Sequence, residues 1–95
     1  MIRKVWITGR PAGNYLATVA MEIQIGEFKL QIRGMRLIEV KGKRVLAFPS
    51  HKIEDQWRDL VYPMTQDTRE AFTKAAVAEY ARQRTNEVRD LLEPL

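Results

Sequence analysis

The chain has 95 residues, of which 45% are hydrophobic and 29% charged, and its formal net charge is +4. This length allows one small domain with a modest core, so we expect residues 1–95 to form a single domain. The sequence contains no cysteine, which excludes a disulfide framework, a thiolate metal site and a cysteine nucleophile. No apolar run approaches the length that spans a bilayer, and we expect a cytoplasmic protein with no membrane partner.

The first two predicted strands are separated by a turn. Val5 and Ile7 alternate with less apolar positions, which predicts a short strand before the glycine- and proline-containing turn at residues 9–14. The odd positions from Ala17 to Ile25 are all apolar. This period of two predicts a longer strand with one buried face.

A third predicted strand changes phase at Gly34. Before this glycine the even positions Leu30 and Ile32 are apolar, and after it the odd positions Met35 and Leu37 are apolar. A single glycine at such a change of phase indicates a β-bulge.

Prolines limit the fourth and fifth predicted strands. The turn at residues 41–43 leads into an apolar strand over residues 44–48, and the last strand is predicted over residues 56–62. Each is followed directly by a proline, which cannot donate a hydrogen bond to a central sheet ladder. We expect these two strands to pair through the turn at residues 49–56.

A helix is predicted over residues 66–92. Thr65 or Asp67 can cap its first turn, and Glu70 follows Asp67 at the spacing of a capping box. The inward face is marked, at helical spacing, by Phe72, Ala75, Ala76, Glu79 and Tyr80.

These elements predict an α+β fold, in which an antiparallel sheet of about five strands over residues 3–62 is followed by a C-terminal helix. The expected core consists of Val19, Met21, Ile23, Leu30, Ile32, Leu46, Phe72, Ala76 and Tyr80. One helix cannot cover both faces of a sheet, so an exposed face or edge must be charged, paired or bound. We therefore expect a homodimer, formed through strand edges or through the apolar helix end at Val88, Leu91 and Leu92.

The sequence offers little for catalysis. Its only His and only Ser are the neighbours His51 and Ser50, and adjacent side chains on an extended chain point to opposite faces. They cannot form a pair of nucleophile and base. The chain has no second His for a zinc site and no glycine-rich phosphate loop before the helix. We expect neither an enzyme nor a cofactor, a metal or a small-molecule substrate.

The positive charge is concentrated in the first part of the chain. Residues 1–52 contain ten Lys or Arg and three Glu, hence +7, whereas residues 53–95 contain six Lys or Arg and nine Asp or Glu, hence −3. A basic surface of this kind is typical of proteins that bind the phosphates of nucleic acids. It is also compatible with a basic surface that has no specific ligand.

Six basic residues are candidate contacts to phosphate: Arg36, Lys43, Arg44, His51, Lys52 and Arg58. We expect Lys52 and Arg58 to lie near each other at one end of the sheet, where the last two strands would pair. Trp57 is able either to stack on an unpaired base or to pack under the helix. These residues also have alternatives that do not involve a ligand, namely a solvated hairpin at residues 41–44 and a surface ion pair between Arg58 and Asp59.

Several short motifs follow one another in a distinctive order between residues 16 and 80. They are Met35-Arg36-Leu37-Ile38-Glu39, Phe48-Pro49-Ser50-His51-Lys52, Trp57-Arg58-Asp59-Leu60 and Tyr62-Pro63-Met64. This order resembles the stage V sporulation protein G (SpoVG) family of septation regulators. Its corresponding runs read Ile-Arg-Val-Ile-Glu, Met-Pro-Ser with two basic residues, a turn with Pro or Gly, Phe-Arg-Asp and His-Pro-Ile.

SpoVG-like proteins are small dimeric regulators, linked to septation and sporulation, that bind DNA and in some cases RNA. The resemblance implies a homodimer that contacts nucleic acid through the basic pair after Pro-Ser. In this chain that pair is His51 and Lys52, and the arginine of the Phe-Arg-Asp motif is Arg58.

The chain departs from the family pattern at three places. The turn Ile53-Glu54-Asp55-Gln56 is one residue shorter and more acidic, and Arg33-Gly34 replaces a His-Asp pair. His51 replaces one basic residue, and a histidine is largely neutral near pH 7. The DNA preference of relatives is therefore not transferred, and the choice between DNA and RNA stays open. The alternative function is a protein-interaction or structural dimer module with no specific nucleic-acid ligand.

Overall fold

The computed structural model describes residues 1–92, and it describes the side chains of residues 1–85. These residues contain six strands and one helix: β1 Ile2–Thr8, β2 Tyr15–Ile25, β3 Phe28–Val40, β4 Lys43–Ala47, β5 Ser50–Ile53, β6 Gln56–Asp59 and α1 Gln66–Leu92. Strands β1 to β4 form one antiparallel sheet in chain order, while β5 and β6 form a separate hairpin. The predicted α+β fold is confirmed.

The alternation in the sequence determines which face of the sheet is buried. Every second residue of β2 from Ala17 to Ile23 is buried, and the residues between them are more exposed. Met35 and Leu37 on β3 and Leu46 on β4 extend this apolar layer across the sheet. Such burial with a period of two is expected of a sheet that packs on one face only.

A threonine caps helix α1. The backbone N–H of Thr68 donates a hydrogen bond to Thr65 Oγ1 over 3.2 Å, which is the N-cap arrangement. Asp67, the other predicted cap, lies within the first turn, where a carboxylate interacts favourably with the helix dipole. Within the described residues, α1 lacks an apolar stretch long enough to cross a membrane.

Helix α1 covers the apolar layer of the sheet. Ala76 and Tyr80 are buried, and Phe72 is half-buried with its ring centroid 5.7 Å from that of Phe48. The guanidinium carbon of Arg69 lies 5.8 Å from the centroid of the same Phe48 ring. No other element within residues 1–92 packs across the opposite face of the sheet, so that face stays uncovered.

The change of phase at Gly34 is a β-bulge, as predicted. Val19 is opposite Met35, whereas Met21 is opposite Ile32, so β3 has one more residue than β2 in this interval. Gly34 has a φ of 82°, in the region that side chains other than glycine rarely adopt. The extra residue shifts the buried positions of β3 from even to odd numbers.

A second bulge, on β2, cancels the first. Tyr15 is opposite Ile38 and Ala17 is opposite Leu37, so Leu16 is an extra residue on β2. The two strands therefore end their pairing in the register with which they began it.

The last two predicted strands do not pair with each other. Instead, Ser50–Ile53 pairs with Gln56–Asp59 through a two-residue turn. The turn residues Glu54 and Asp55 have φ values of 49° and 64°, the positive values that tight hairpin turns require. Ser50–Ile53 contains a single apolar residue, so it lacks the alternation by which a half-buried strand is predicted.

The predicted core is wrong for one residue. Val19, Met21, Ile23, Leu46, Ala76 and Tyr80 are buried, and Ile32 and Phe72 are partly buried against them. Leu30, by contrast, is 56% exposed. It lies near the end of the β2–β3 hairpin, as does exposed Phe28, although its cross-strand partner Ile23 is buried.

Candidate nucleic-acid interface

The β5–β6 hairpin carries three of the six predicted phosphate contacts. His51 is directly opposite Arg58, and Lys52 is directly opposite Trp57. All four residues are exposed. Cross-strand partners lie on the same face of a hairpin, and neighbours along a strand lie on opposite faces. One face therefore presents His51 and Arg58, and the other presents Lys52 and Trp57.

Lys52 and Arg58 thus do not form the common rim predicted for them. The turn sets a register that places them on opposite faces of the hairpin. Arg58 Nη2 donates to Gln56 Oε1 over 3.4 Å, along its own strand. The alternative of an ion pair with Asp59 does not form, since the ion pair found within residues 1–85 joins Arg82 and Glu79.

Trp57 does not pack under α1. The residue is 69% exposed, so much of its ring is accessible to a flat ligand. Lys52 is its cross-strand neighbour, and a cation beside an exposed aromatic ring is typical of surfaces that hold single-stranded nucleic acid. The carboxylates of Glu54 and Asp55 at the adjacent turn oppose the positive potential of this face.

Arg36 and Lys43 lie on the uncovered face of the main sheet. Arg36 stands between the buried residues Met35 and Leu37, so it points away from α1. The alternation on β4, counted from buried Leu46, places Lys43 on the same face. Both side chains are exposed.

Arg44 lies on the helix side of β4. Its guanidinium carbon is 5.2 Å from the centroid of the Tyr80 ring, which is a cation–π contact. The six predicted residues therefore occupy three places, namely the hairpin, the uncovered face and the helix side of β4, and not one continuous rim.

Charge pairing is found on the helix. Arg82 Nε and Nη2 donate to the Glu79 carboxylate over 2.8 and 2.5 Å, and these hydrogen bonds hold the pKa of Glu79 below its ordinary value. Within residues 1–85, no ion pair involves Arg36, Lys52 or Arg58. Their charges are therefore available to phosphate.

The uncovered face carries one exposed aromatic residue that is not among the predicted site residues. Trp6 is opposite Ala20 and is 40% exposed. It lies in an open depression of about 380 Å³ that is also lined by Thr8, Thr18, Ala20, Gln31, Arg33 and Gly34. The sequence does indicate the position of Trp6, because Trp6 alternates with the apolar residues Val5 and Ile7 and so belongs to the polar face of β1.

The profile of the SpoVG family matches residues 2–82, which include all six strands and more than half of α1. The chain belongs to the SpoVG family. The match confirms the resemblance drawn from the short motifs, and it makes the protein a SpoVG-like regulator of the sporulation and septation class. This family is one of regulators and not of enzymes. A search against curated proteins returns no match to the chain.

Proposed function

We propose that this SpoVG-family protein is a nucleic-acid-binding regulator whose β5–β6 hairpin and neighbouring basic sheet residues contact phosphates. The observation that supports it most is the hairpin itself. It exposes Lys52 beside Trp57 on one face and Arg58 beside His51 on the other, with no ion pair among them. A strand of nucleic acid that passes either face meets a positive charge.

The main sheet adds to this basic surface where the hairpin begins. Pro49, which directly precedes β5, lies next to Gly34 on β3. Arg33 directly precedes this glycine and Arg36 follows it after Met35, and both arginines are exposed. Cations of the sheet and of the hairpin therefore lie in adjoining parts of the surface, which supports contacts to several phosphates of one strand.

A salt titration tests the proposal. We expect binding of a short single-stranded DNA, the matching RNA and a DNA duplex to weaken linearly with the logarithm of salt concentration. Lys52→Ala and Arg58→Ala should each flatten that slope by roughly one unit and weaken all sequences about equally. Lys74→Ala removes an exposed lysine of α1 and is the matched control, with affinity and slope unchanged.

Two results would contradict the proposal. Loss of binding in Lys74→Ala, with binding kept in the hairpin variants, would place the phosphate contacts on α1. Failure of the purified protein to retain a mixed oligonucleotide pool at moderate salt would rule out a nucleic-acid ligand.

We also propose that the working form is a homodimer. Several apolar side chains in and after the hairpin are exposed: Ile53, Trp57, Leu60, Val61, Tyr62 and Met64. A two-stranded hairpin on its own is marginally stable in water, so a second copy that covers these residues would stabilise it.

Association through Val88, Leu91 and Leu92 concerns side chains outside the described residues. Light scattering should give twice the 11.1 kDa chain mass, and a monomer throughout the micromolar range would contradict the dimer.

The same apolar residues favour a second candidate function. A protein-interaction or structural dimer module would use the hairpin as a docking element and its cations only for solubility. Dimerisation without any salt-dependent binding of DNA or RNA would establish this function in place of the first.

A further inference from the structure

We propose that the uncovered face of the β1–β4 sheet binds unpaired bases of single-stranded nucleic acid, with Trp6 as the stacking residue and Arg33 as the adjacent phosphate contact. The inference rests on the proposed function. It assigns base binding to the sheet, whereas the contacts proposed for the β5–β6 hairpin are to phosphate.

The sheet holds Trp6 in an accessible position. Its cross-strand neighbour is Ala20, and Gly34 lines the same depression. These two small residues leave space beside the ring, and no element within residues 1–92 covers it. A tryptophan that is 40% exposed amid polar neighbours is a surface on which a planar ligand can stack.

The bulge on β3 shapes the depression. It places two residues, Arg33 and Gly34, opposite the single residue Ala20. Both therefore line the depression together with Trp6. The φ of 82° at Gly34 disfavours any side chain there, so the backbone conformation itself keeps the floor open.

The lining has the chemistry that a base and its phosphate require. The volume of about 380 Å³ lies within the range of sites for small planar ligands. Thr8 and Gln31 supply groups that both donate and accept hydrogen bonds, so they can satisfy the edges of different bases. The Thr18 hydroxyl is hydrogen-bonded to the Tyr15 hydroxyl, and Gln31 Oε1 accepts a hydrogen bond from Arg33 Nη2 over 3.4 Å, which leaves the Gln31 amide N–H groups for a ligand. Arg33 supplies guanidinium donors suited to phosphate.

The charges on this face favour an anionic ligand. Arg33 and Arg36 are exposed, and neither has an ion-pair partner within residues 1–85. The carboxylate of Glu22 lies directly opposite Lys4, which offsets its charge. No carboxylate lines the depression itself.

The depression also adjoins the hairpin. A side-chain carbon at Gly34 would lie 4.0 Å from Pro49 Cβ, and β5 begins at the next residue, Ser50. One single strand can therefore contact the hairpin through its phosphates and Trp6 through a base. A duplex cannot do so, because its bases are stacked and paired in its interior.

The two tryptophans of the chain allow the two surfaces to be observed separately. When tryptophan is excited selectively over the three tyrosines, Trp6 alone emits in Trp57→Phe and Trp57 alone emits in Trp6→Phe. Each protein is titrated at low salt with single-stranded DNA, single-stranded RNA, the DNA duplex and an abasic oligonucleotide of equal length. We expect both single strands to quench Trp6, while the duplex and the abasic strand leave its emission unchanged. The DNA and RNA arms show whether the 2′-hydroxyl matters.

Affinity gives a second measurement. Trp6→Ala should weaken single-strand binding about 5- to 100-fold, the loss expected for one base–aromatic stack, and should leave binding of the abasic strand unchanged. Trp6→Phe keeps a ring and should retain most of the affinity, which preserves the test if the alanine variant fails to fold. Arg33→Gln should weaken single-stranded and abasic ligands alike and flatten the salt slope.

Four other results would each overturn the inference, and they differ in what they leave of the proposed function. Equal binding of base-bearing and abasic strands with constant Trp6 emission removes the base site and leaves the phosphate function standing. Quenching of Trp57 alone moves stacking to the hairpin. A Trp6 emission that depends on protein concentration without any oligonucleotide shows that a second copy covers the face. Absence of binding to all four ligands overturns the inference together with the proposed function.

Discussion

The β1–β4 sheet with α1 and the β5–β6 hairpin are stabilised in different ways. In the sheet, residues such as Val19, Met21 and Leu37 are completely buried. In the hairpin and the segment after it, every residue from His51 to Tyr62 is exposed. The sheet is held by packing, whereas the hairpin is held by main-chain pairing and its turn. The buried side chains that determine the fold are therefore absent from the hairpin, and hairpin residues can be altered without removing core packing.

Hydrogen exchange should give the largest contrast between the two regions. The amides of β2 and β3 lie in the centre of the sheet and should exchange only through global opening, which costs roughly 5 kcal/mol or more in a stable domain. At protein concentrations that favour monomers, we expect the β5–β6 amides to exchange on the order of a thousandfold faster. Mass spectrometry of peptic fragments measures this. Equal protection in the dilute monomer would show that the hairpin packs on the body of the domain.

Core truncation should separate the regions by several kcal/mol. Leu37→Ala removes a completely buried side chain and should lower the free energy of unfolding by about 2–5 kcal/mol. Trp57→Ala removes a larger side chain at a position that is 69% exposed, and should change the free energy of unfolding by less than about 0.5 kcal/mol. Urea denaturation of the two variants measures both values. A loss in Trp57→Ala comparable to that in Leu37→Ala would remove the distinction.

Substitution of the bulge glycine should lower the free energy of unfolding by an intermediate amount. Gly34→Ala places a side chain at a φ of 82°, and its nearest neighbour would be Pro49 Cβ at 4.0 Å, so the cost is one of backbone conformation and not of a clash. We expect a loss of about 1–2 kcal/mol in unfolding free energy. Gly42→Ala, at a φ of 79° in the β3–β4 turn with open surroundings, is the control and should cost a similar amount. A much smaller loss at Gly34 would mean that the bulge relaxes.

The ion pair on α1 should have the smallest effect. Glu79→Gln removes the partner of Arg82 and should lower the melting temperature slightly at neutral pH, because surface pairs contribute little. The pKa of Glu79 is lowered in the folded state, so its contribution is present above the ordinary glutamate range and is lost as pH falls through the folded value. The two proteins should therefore melt alike in acid. A difference that grows on acidification would contradict this assignment.

Sequence periodicity predicted the body of the fold because burial there has a regular period. Ala17 to Ile23 and the phase change at Gly34 are visible as apolar positions, and the structure confirms both. Leu30 shows the limit of the method. It continues the apolar alternation and yet is exposed. Whether the helix covers a given strand position depends on tertiary packing, which the pattern of a single strand does not contain.

The candidate site was predictable as a set of residues but not as a geometry. The basic residues near Pro49 are evident in the sequence, and the family motifs point to His51, Lys52 and Arg58. Which face of a hairpin each occupies depends on the register set by a two-residue turn, and a shift of one position exchanges the faces. The alternation on β1 places Trp6 on the polar face, but only the structure shows that no other element covers this face within residues 1–92.

The two bulges of β2 and β3 make deletions in these strands interdependent. Leu16 adds one residue to β2 and the Gly34 bulge adds one to β3, so each insertion compensates for the other. Removal of either residue alone would leave the remaining insertion uncorrected and turn alternate side chains of one strand segment toward the wrong face. Removal of both would restore a continuous ladder. Length changes in this pair of strands are therefore tolerated in matched pairs, much as a second frameshift restores a reading frame.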